Sequence, residues 1–196
     1  MKRVWFIRHG HHDWIGKVLV GRKPGIKLNE AGRRQAESIA EKLRDENIAA
    51  IYSSPQQRAL ETAEPLARAN NLAICMVKEL DEIDFGGWTG RSFEELETDP
   101  LWATWNNERG KARARDGESM VCVQKRVLHA VQRLGRPEPV AFISHGDVIR
   151  AALVNFLGKS LNDIHSVSFE PGEAVLVEIE SEVAAVRWPE LARPGS

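Results

Sequence analysis

Apolar residues in this chain fall into short continuous runs separated by amphipathic stretches, and the alternation extends nearly end to end. Val4-Trp5-Phe6-Ile7 is the first run, with no polar break. A run of that length bounded by polar residues is the pattern of a strand buried on both faces. Ile48-Ala49-Ala50-Ile51-Tyr52, Leu72 to Val77 and Val140-Ala141-Phe142-Ile143 repeat it. Val175 to Ile179 and Ala184 to Trp188 predict two closing strands, set as an antiparallel hairpin.

Helical spacing fills the intervals. Ala36, Ile39, Ala40 and Leu43 line one helical face, and Asn29 stands where an N-cap is needed. Ser54-Pro55 reads as a capping hydroxyl ahead of a proline at the first helical position, with Pro65 breaking or kinking that helix. A loop-rich stretch carries the bulk of Trp88, Phe93, Trp102 and Trp105; helices are expected over Val121 to Leu134 and from about Ile149. Strands alternating with helices predict a three-layer α/β sandwich, its mostly parallel central sheet flanked by helices. At 196 residues the whole chain, 1–196, reads as a single domain.

Composition narrows the function. A net charge of -1, with no long basic run, argues against nucleic-acid or membrane-surface partners. No apolar run approaches the ~20 residues of a membrane span, and no signal peptide is recognisable, so the expected location is the cytoplasm. Cys75 and Cys122 lie far apart among apolar neighbours and are expected as small buried packing rather than a disulfide.

The candidate chemistry sits at strand ends. "VWFI" runs into Arg8-His9-Gly10, and "VAFI" runs into Ser144-His145-Gly146. Open α/β sheets bind ligands beyond the carboxyl ends of their strands, so both His-Gly pairs should emerge at one rim. The segment after the second strand brings Arg58, and "LDEIDFGGWTG" after the third brings Glu82. A single histidine after a strand is ordinarily structural, and a single arginine on a helix ordinarily solvated. Two His-Gly pairs converging with two arginines and a glutamate are not explained that way.

In this order the segments "FIRHG", "LNEAGRRQA", "YSSPQQRALETA", "LDEIDFGGWTG", "DGES" and "ISHGDVIR" resemble the histidine phosphatase superfamily, which has the phosphoglycerate-mutase-like fold. The resemblance covers residue 3 to about residue 150. It implies phosphoryl transfer through a phosphohistidine, with His9 as nucleophile and Glu82 as proton donor. Arg8, Arg58 and His145, with Gly146, would hold the phosphoryl oxygens. The implied partner is a small phosphorylated substrate; no cofactor and no metal are expected, and the chain would act as a monomer or homodimer. The assignment is physically sound, because neighbouring arginines keep an imidazole neutral and nucleophilic, and their planar forks donate to two oxygens at once.

Where the family motif continues with an acidic residue, a hydroxyl residue and later an asparagine, this chain has His11, His12 and Ile15. His12 is expected to line the phosphate pocket in place of the hydroxyl, with His11 at its mouth. Gly21 would let the backbone approach the substrate, and Arg22 beside it would reach a substrate charge. The expected activity is a phosphomonoester phosphatase. The alternatives are a cofactor-dependent phosphoglycerate mutase and, more remotely, a non-catalytic phospho-ligand-binding protein. The modest stretch from Arg91 to Arg115 and the short tail favour the phosphatase; the basic run Lys111, Arg113 and Arg115 is the one feature fitted to a second anionic group. A zinc cluster read as H-x-H-x-D over His9, His11 and Asp13 is the competing chemistry, weakened by Trp14 where a further histidine belongs and by two arginines beside the cation.

Overall fold

A computed structural model describes residues 1–180 and 183–188 and gives a six-stranded sheet between two helical layers. Strand β1 (Lys2–Arg8) leads through a long loop to helix α1 (Glu30–Lys42). Strand β2 (Ala50–Ser53), helix α2 (Gln57–Asn70) and strand β3 (Ile74–Met76) follow. The tryptophan-rich stretch folds as two short helices, α3 (Phe93–Glu97) and α4 (Pro100–Asn107). Helix α5 (Met120–Leu134), strand β4 (Val140–Ser144), helix α6 (Gly146–Phe156) and strands β5 (Ala174–Glu180) and β6 (Val183–Arg187) complete it. Among the described residues no helix is long and apolar enough to cross a membrane.

The strand order is β3-β2-β4-β1-β5-β6. Strands β3, β2, β4 and β1 run parallel, while β5 lies antiparallel to β1 and pairs with β6 as the expected antiparallel partner. Every residue of β4 is buried, because it sits between two parallel strands with helices over both faces. The pleat divides its apolar run. Val4 and Phe6 of β1 and Val140 and Phe142 of β4 face the core under α5 and α6. Trp5, Ile7, Ala141 and Ile143 face the opposite core with residues of α1 and α2.

Several local expectations need correction. Helix α2 starts at Gln57 rather than at Pro55, and its N-cap, Gln56, makes no side-chain cap. Pro65 does not break it: the helix continues from Gln57 to Asn70. Ala59, Ala63, Leu66 and Ala67 are all buried on that helix, and their burial outweighs the hydrogen bond that proline cannot donate. Helix α6 begins at Gly146, three residues before Ile149. Both cysteines are exposed, not buried. Cys75 lies on the three-residue edge strand β3, and Cys122 on the solvent side of the first turn of α5. Asn29 caps α1 as expected, its side chain accepting from Gly32 N.

Candidate active site

The register of β1 on β4 sets the centre of the site. Arg8 lies opposite Ser144, so the next residues, His9 and His145, emerge side by side with ring centroids 5.1 Å apart. The loop after β1 presses on the first turn of α1 so closely that a Cβ on Gly10 would stand 2.5 Å from Gly32 O, and one on Gly32 would stand 2.1 Å from His11 O. Only glycine fits at either position, and the contact fixes where His9 points.

His9 is almost fully buried. Its Nδ1 lies 2.8 Å from the carbonyl of Gly10, an acceptor only, so Nδ1 carries the hydrogen. Nε2 is left with its lone pair, 3.3 Å from Arg58 Nε. Burial, reinforced by the Arg58 charge, holds the pKa well below the ordinary 6.5. An imidazole neutral in this tautomer can act as a nucleophile through Nε2.

His145 is held from the other side. Its Nε2 lies 2.8 Å from Ser54 Oγ, which in turn donates to Asp81 Oδ1 at 3.3 Å. Its Nδ1 faces Arg58 Nη2 at 3.1 Å and Glu82 Oε2 at 3.3 Å. Burial, again with Arg58, keeps this imidazole neutral as well. Ser54 therefore serves His145 as well as the chain before the helix, where its Oγ accepts from Gln56 N at 3.2 Å although the N-cap is Gln56.

Arg58, fully buried, stands at the middle of the cluster. Its Nη2 reaches the carbonyl of Gly21 at 2.9 Å and Glu82 Oε2 at 3.4 Å. Gly21, at φ +50, turns its carbonyl inward at this point. Arg8 donates through Nη1 to Phe169 O at 2.6 Å and lies over Gly146, where a Cβ would meet its guanidinium at 3.1 Å. Two buried donors, Arg8 Nε and Arg58 Nη1, have no acceptor among the described residues. Buried unpaired donors are costly, and here both belong to cations beside the Nε2 lone pair and the N-terminus of α6. That is an anion cradle.

Glu82 completes it. Oε1 accepts from the Ile83 amide at 2.9 Å, leaving Oε2 toward the two histidines. Burial raises its pKa, and the Arg58 cation only partly offsets this. A carboxyl group in this state can deliver a proton. Its loop is clamped from behind. Arg22 Nε and Arg126 Nη2 both donate to Glu82 O, at 2.8 and 3.2 Å. Glu118 accepts from both arginines and from Asp84 N. Arg22 is thus engaged behind Glu82 and not turned to the substrate, as the sequence had suggested. The spacing of Arg22, Glu118 and Arg126 carries no signal for this clamp, which only the fold assembles.

His12 lines the cavity, its ring stacked on His9 at 5.3 Å. Burial lowers its pKa to about 4. His11 does not reach the mouth. Its Nδ1 and Asp13 Oδ1 both engage the amide of Asn29, at 3.0 and 2.8 Å. The metal reading over His9, His11 and Asp13 therefore has no geometry behind it. His9, Glu82 and His145 do bring ligand atoms within 4.8 Å of one another. The Arg58 guanidinium abuts all three, however, so a cation there would be driven against a fixed positive charge. It is the Arg8 and Arg58 donors beside the trio, not the trio itself, that suit an anion. The cavity itself holds about 160 Å³ and is lined by Arg8, His9, His12, Gly21, Glu82 and Gly146 at its polar end.

Comparison with known proteins agrees with this geometry. The family model for the histidine phosphatase superfamily (branch 1) matches residues 4–190. Phosphoserine phosphatase 1 of Hydrogenobacter thermophilus is 31% identical over 188 residues, covering 92% of this chain and 88% of that protein. The 2,3-bisphosphoglycerate-dependent phosphoglycerate mutase of Thermoplasma acidophilum is 32% identical over 182 residues, again covering 92% and 88%. Among solved structures, Bacillus stearothermophilus YhfR superposes with a TM-score of 0.88 at 26% identity, over 96% of each chain. The chain belongs to the histidine phosphatase superfamily.

Proposed function

We propose that this member of the histidine phosphatase superfamily hydrolyses phosphomonoesters of small metabolites through a phosphohistidine at His9. The observation that carries the proposal is the Nε2 lone pair of His9 beside the acceptor-less donors Arg8 Nε and Arg58 Nη1. Phosphoryl transfer needs a nucleophile in line and cations on the equatorial oxygens, and little else from a protein. In the first step His9 Nε2 attacks phosphorus, the ester P–O bond breaks, and the Glu82 carboxylic acid protonates the departing alcohol oxygen. In the second, the Glu82 carboxylate takes a proton from water as the water oxygen attacks phosphorus. The P–N bond breaks, its electron pair returns to Nε2, and inorganic phosphate leaves. Ester plus water gives alcohol plus phosphate, and both side chains return to their starting states. Arg8 and Arg58 hold the phosphoryl oxygens, and His145 joins them as a third donor once the charge of the bound phosphate brings a proton to its Nδ1, with Gly146 and His12 at the margin.

The test is direct. The enzyme should hydrolyse p-nitrophenyl phosphate in excess chelator and be inhibited by vanadate. Brief reaction with labelled substrate should leave an acid-labile, base-stable label that His9→Ala abolishes. Loss of activity on chelation, restored by zinc, would overturn the reading.

The 32% identity to a phosphoglycerate mutase supports a second reading, phosphomutase. It is decided by supplying 3-phosphoglycerate with a trace of 2,3-bisphosphoglycerate: free phosphate supports hydrolysis, and 2-phosphoglycerate without phosphate release supports the mutase.

A further inference from the structure

Away from the phosphoryl cradle the cavity changes character. Its remaining wall includes Ile15, Val18, Leu19, Val20, Phe85 and Phe93. Ile15, Val18, Leu19 and Phe93 are only partly buried, so apolar surface is left uncovered on this wall. The wall is also stiff. Val18 bridges to Ser92, Leu19 N donates to Arg91 O at 2.9 Å, and Gly90 N returns to Leu19 O at 2.8 Å. Behind it, the Phe93 ring packs on Trp102 and the Phe85 ring on Trp105.

Charge points the same way. Beyond the cradle, the charged groups lining the cavity are Asp147 and Arg150. Arg150 pairs with Asp147 at 3.1 Å and gives its other donors to Val167 O and Phe169 O. Asp147 is further paired with Arg109 at 2.9 Å. Of the cations nearby in sequence, Arg22 is engaged behind Glu82, Arg113 on Gly117 O and Arg115 on Asp99, and Lys17, Lys23, Arg91 and Lys111 do not line the cavity. A carboxylate or second phosphate on the alcohol half of a substrate would shed its hydration here with no free cation beyond the cradle among the described residues that line the cavity, and with Glu82 and Asp147 close by. An unpaired buried charge costs several kcal/mol.

We infer that the alcohol half of the substrate is uncharged and largely apolar: the site takes phosphomonoesters of aromatic or branched alkyl alcohols rather than of hydroxy acids. The inference rests on the phosphomonoesterase reading above. It identifies Ile15, which stands where the family has a phosphate-binding amide, as part of the alcohol-binding wall.

The experiment compares kcat/KM, by phosphate release, for benzyl and hexyl phosphates against 3-phosphoglycerate and phosphoserine. All four have poorly acidic alcohols as leaving groups, so the comparison reads recognition and not leaving-group chemistry. A mismatch worth one or two apolar contacts changes kcat/KM by roughly 10- to 200-fold, and the two apolar esters should lead the two anionic ones by at least about 100-fold. Val18→Arg, which places a cation on the wall, should narrow that gap by about tenfold or more, with its melting temperature checked against wild type. Equal rates, or rates favouring the anionic esters, overturn the inference and leave the phosphatase reading standing. Failure to hydrolyse any of the four, or p-nitrophenyl phosphate, overturns the phosphatase reading and the inference with it.

Discussion

Ser54 Oγ lies 2.8 Å from Nε2 of His145, across 91 residues of sequence, and passes its own hydrogen to Asp81. The hydroxyl accepts the Nε2 hydrogen and so keeps Nδ1 turned to Arg58 and Glu82. Removing the acceptor strands a buried N–H, at a cost of about 1–3 kcal/mol. Ser54→Ala should therefore lower kcat/KM by roughly tenfold or more, while Ser54→Thr restores most of it. Equal activity in both variants would show that the hydroxyl does not position His145.

Glu82 should show its role through the leaving group. General acid catalysis contributes typically ~10²- to 10⁴-fold where the leaving oxygen is basic. Glu82→Gln is expected to lose that much on alkyl phosphates and far less on p-nitrophenyl phosphate. An equal loss on both substrates would move the acid elsewhere, with Asp84 and Asp13 the next groups to replace.

The clamp of Arg22, Arg126 and Glu118 holds Glu82 O and Asp84 N and lines none of the cavity. Glu118→Ala should reproduce a weaker form of the Glu82 signature: kcat on alkyl phosphates down by about tenfold, p-nitrophenyl phosphate nearly unaffected, KM little changed. A uniform loss across substrates would indicate general loosening of the fold instead.

Acid should destabilise the protein through its histidines. His9, His12 and His145 are held neutral in the fold, their pKa values lowered chiefly by burial, whereas in the unfolded chain they protonate near 6.5. The unfolded state then binds more protons, so stability is full above pH 6.5 and is lost as pH falls. For His12 the window runs from 6.5 down to about 4, a loss of up to roughly 3 kcal/mol. Urea midpoints of wild type and His12→Gln, measured from pH 7.5 to pH 4, should converge as pH falls. Parallel curves would contradict a neutral His12. The same variant should bind inorganic phosphate more weakly, as expected of a residue lining the cradle.

How much of this was legible in the sequence depended on distance along the chain. The two apolar runs ending in His-Gly are local patterns, and the parallel register that joins them follows from the α/β alternation. Arg58 and Glu82 were reachable because each follows a strand that ends at the same rim. Ser54 was read only in part: its hydroxyl does accept from Gln56 N before the helix, but nothing local shows that it also holds His145. Arg22 likewise reads as a free cation until Glu118, 96 residues on, is brought beside it. The break expected at Pro65 and the burial expected of the two cysteines failed for a different reason: propensity and neighbour polarity were overruled by packing at one site and by an edge strand and an exposed helix turn at the others.

Strand β4 has one further consequence, which concerns the order of assembly. In the sheet it lies between β2 and β1, pairing with both, although it follows them by about 90 and 140 residues of synthesis. Until it is made, the strands that carry His9 and lead to Arg58 have no common neighbour. Long-range parallel pairing of this kind forms late, after its loop-closure entropy is met. The cluster cannot be complete until about two-thirds of the polypeptide has been made, because one five-residue strand brings the second histidine beside the first.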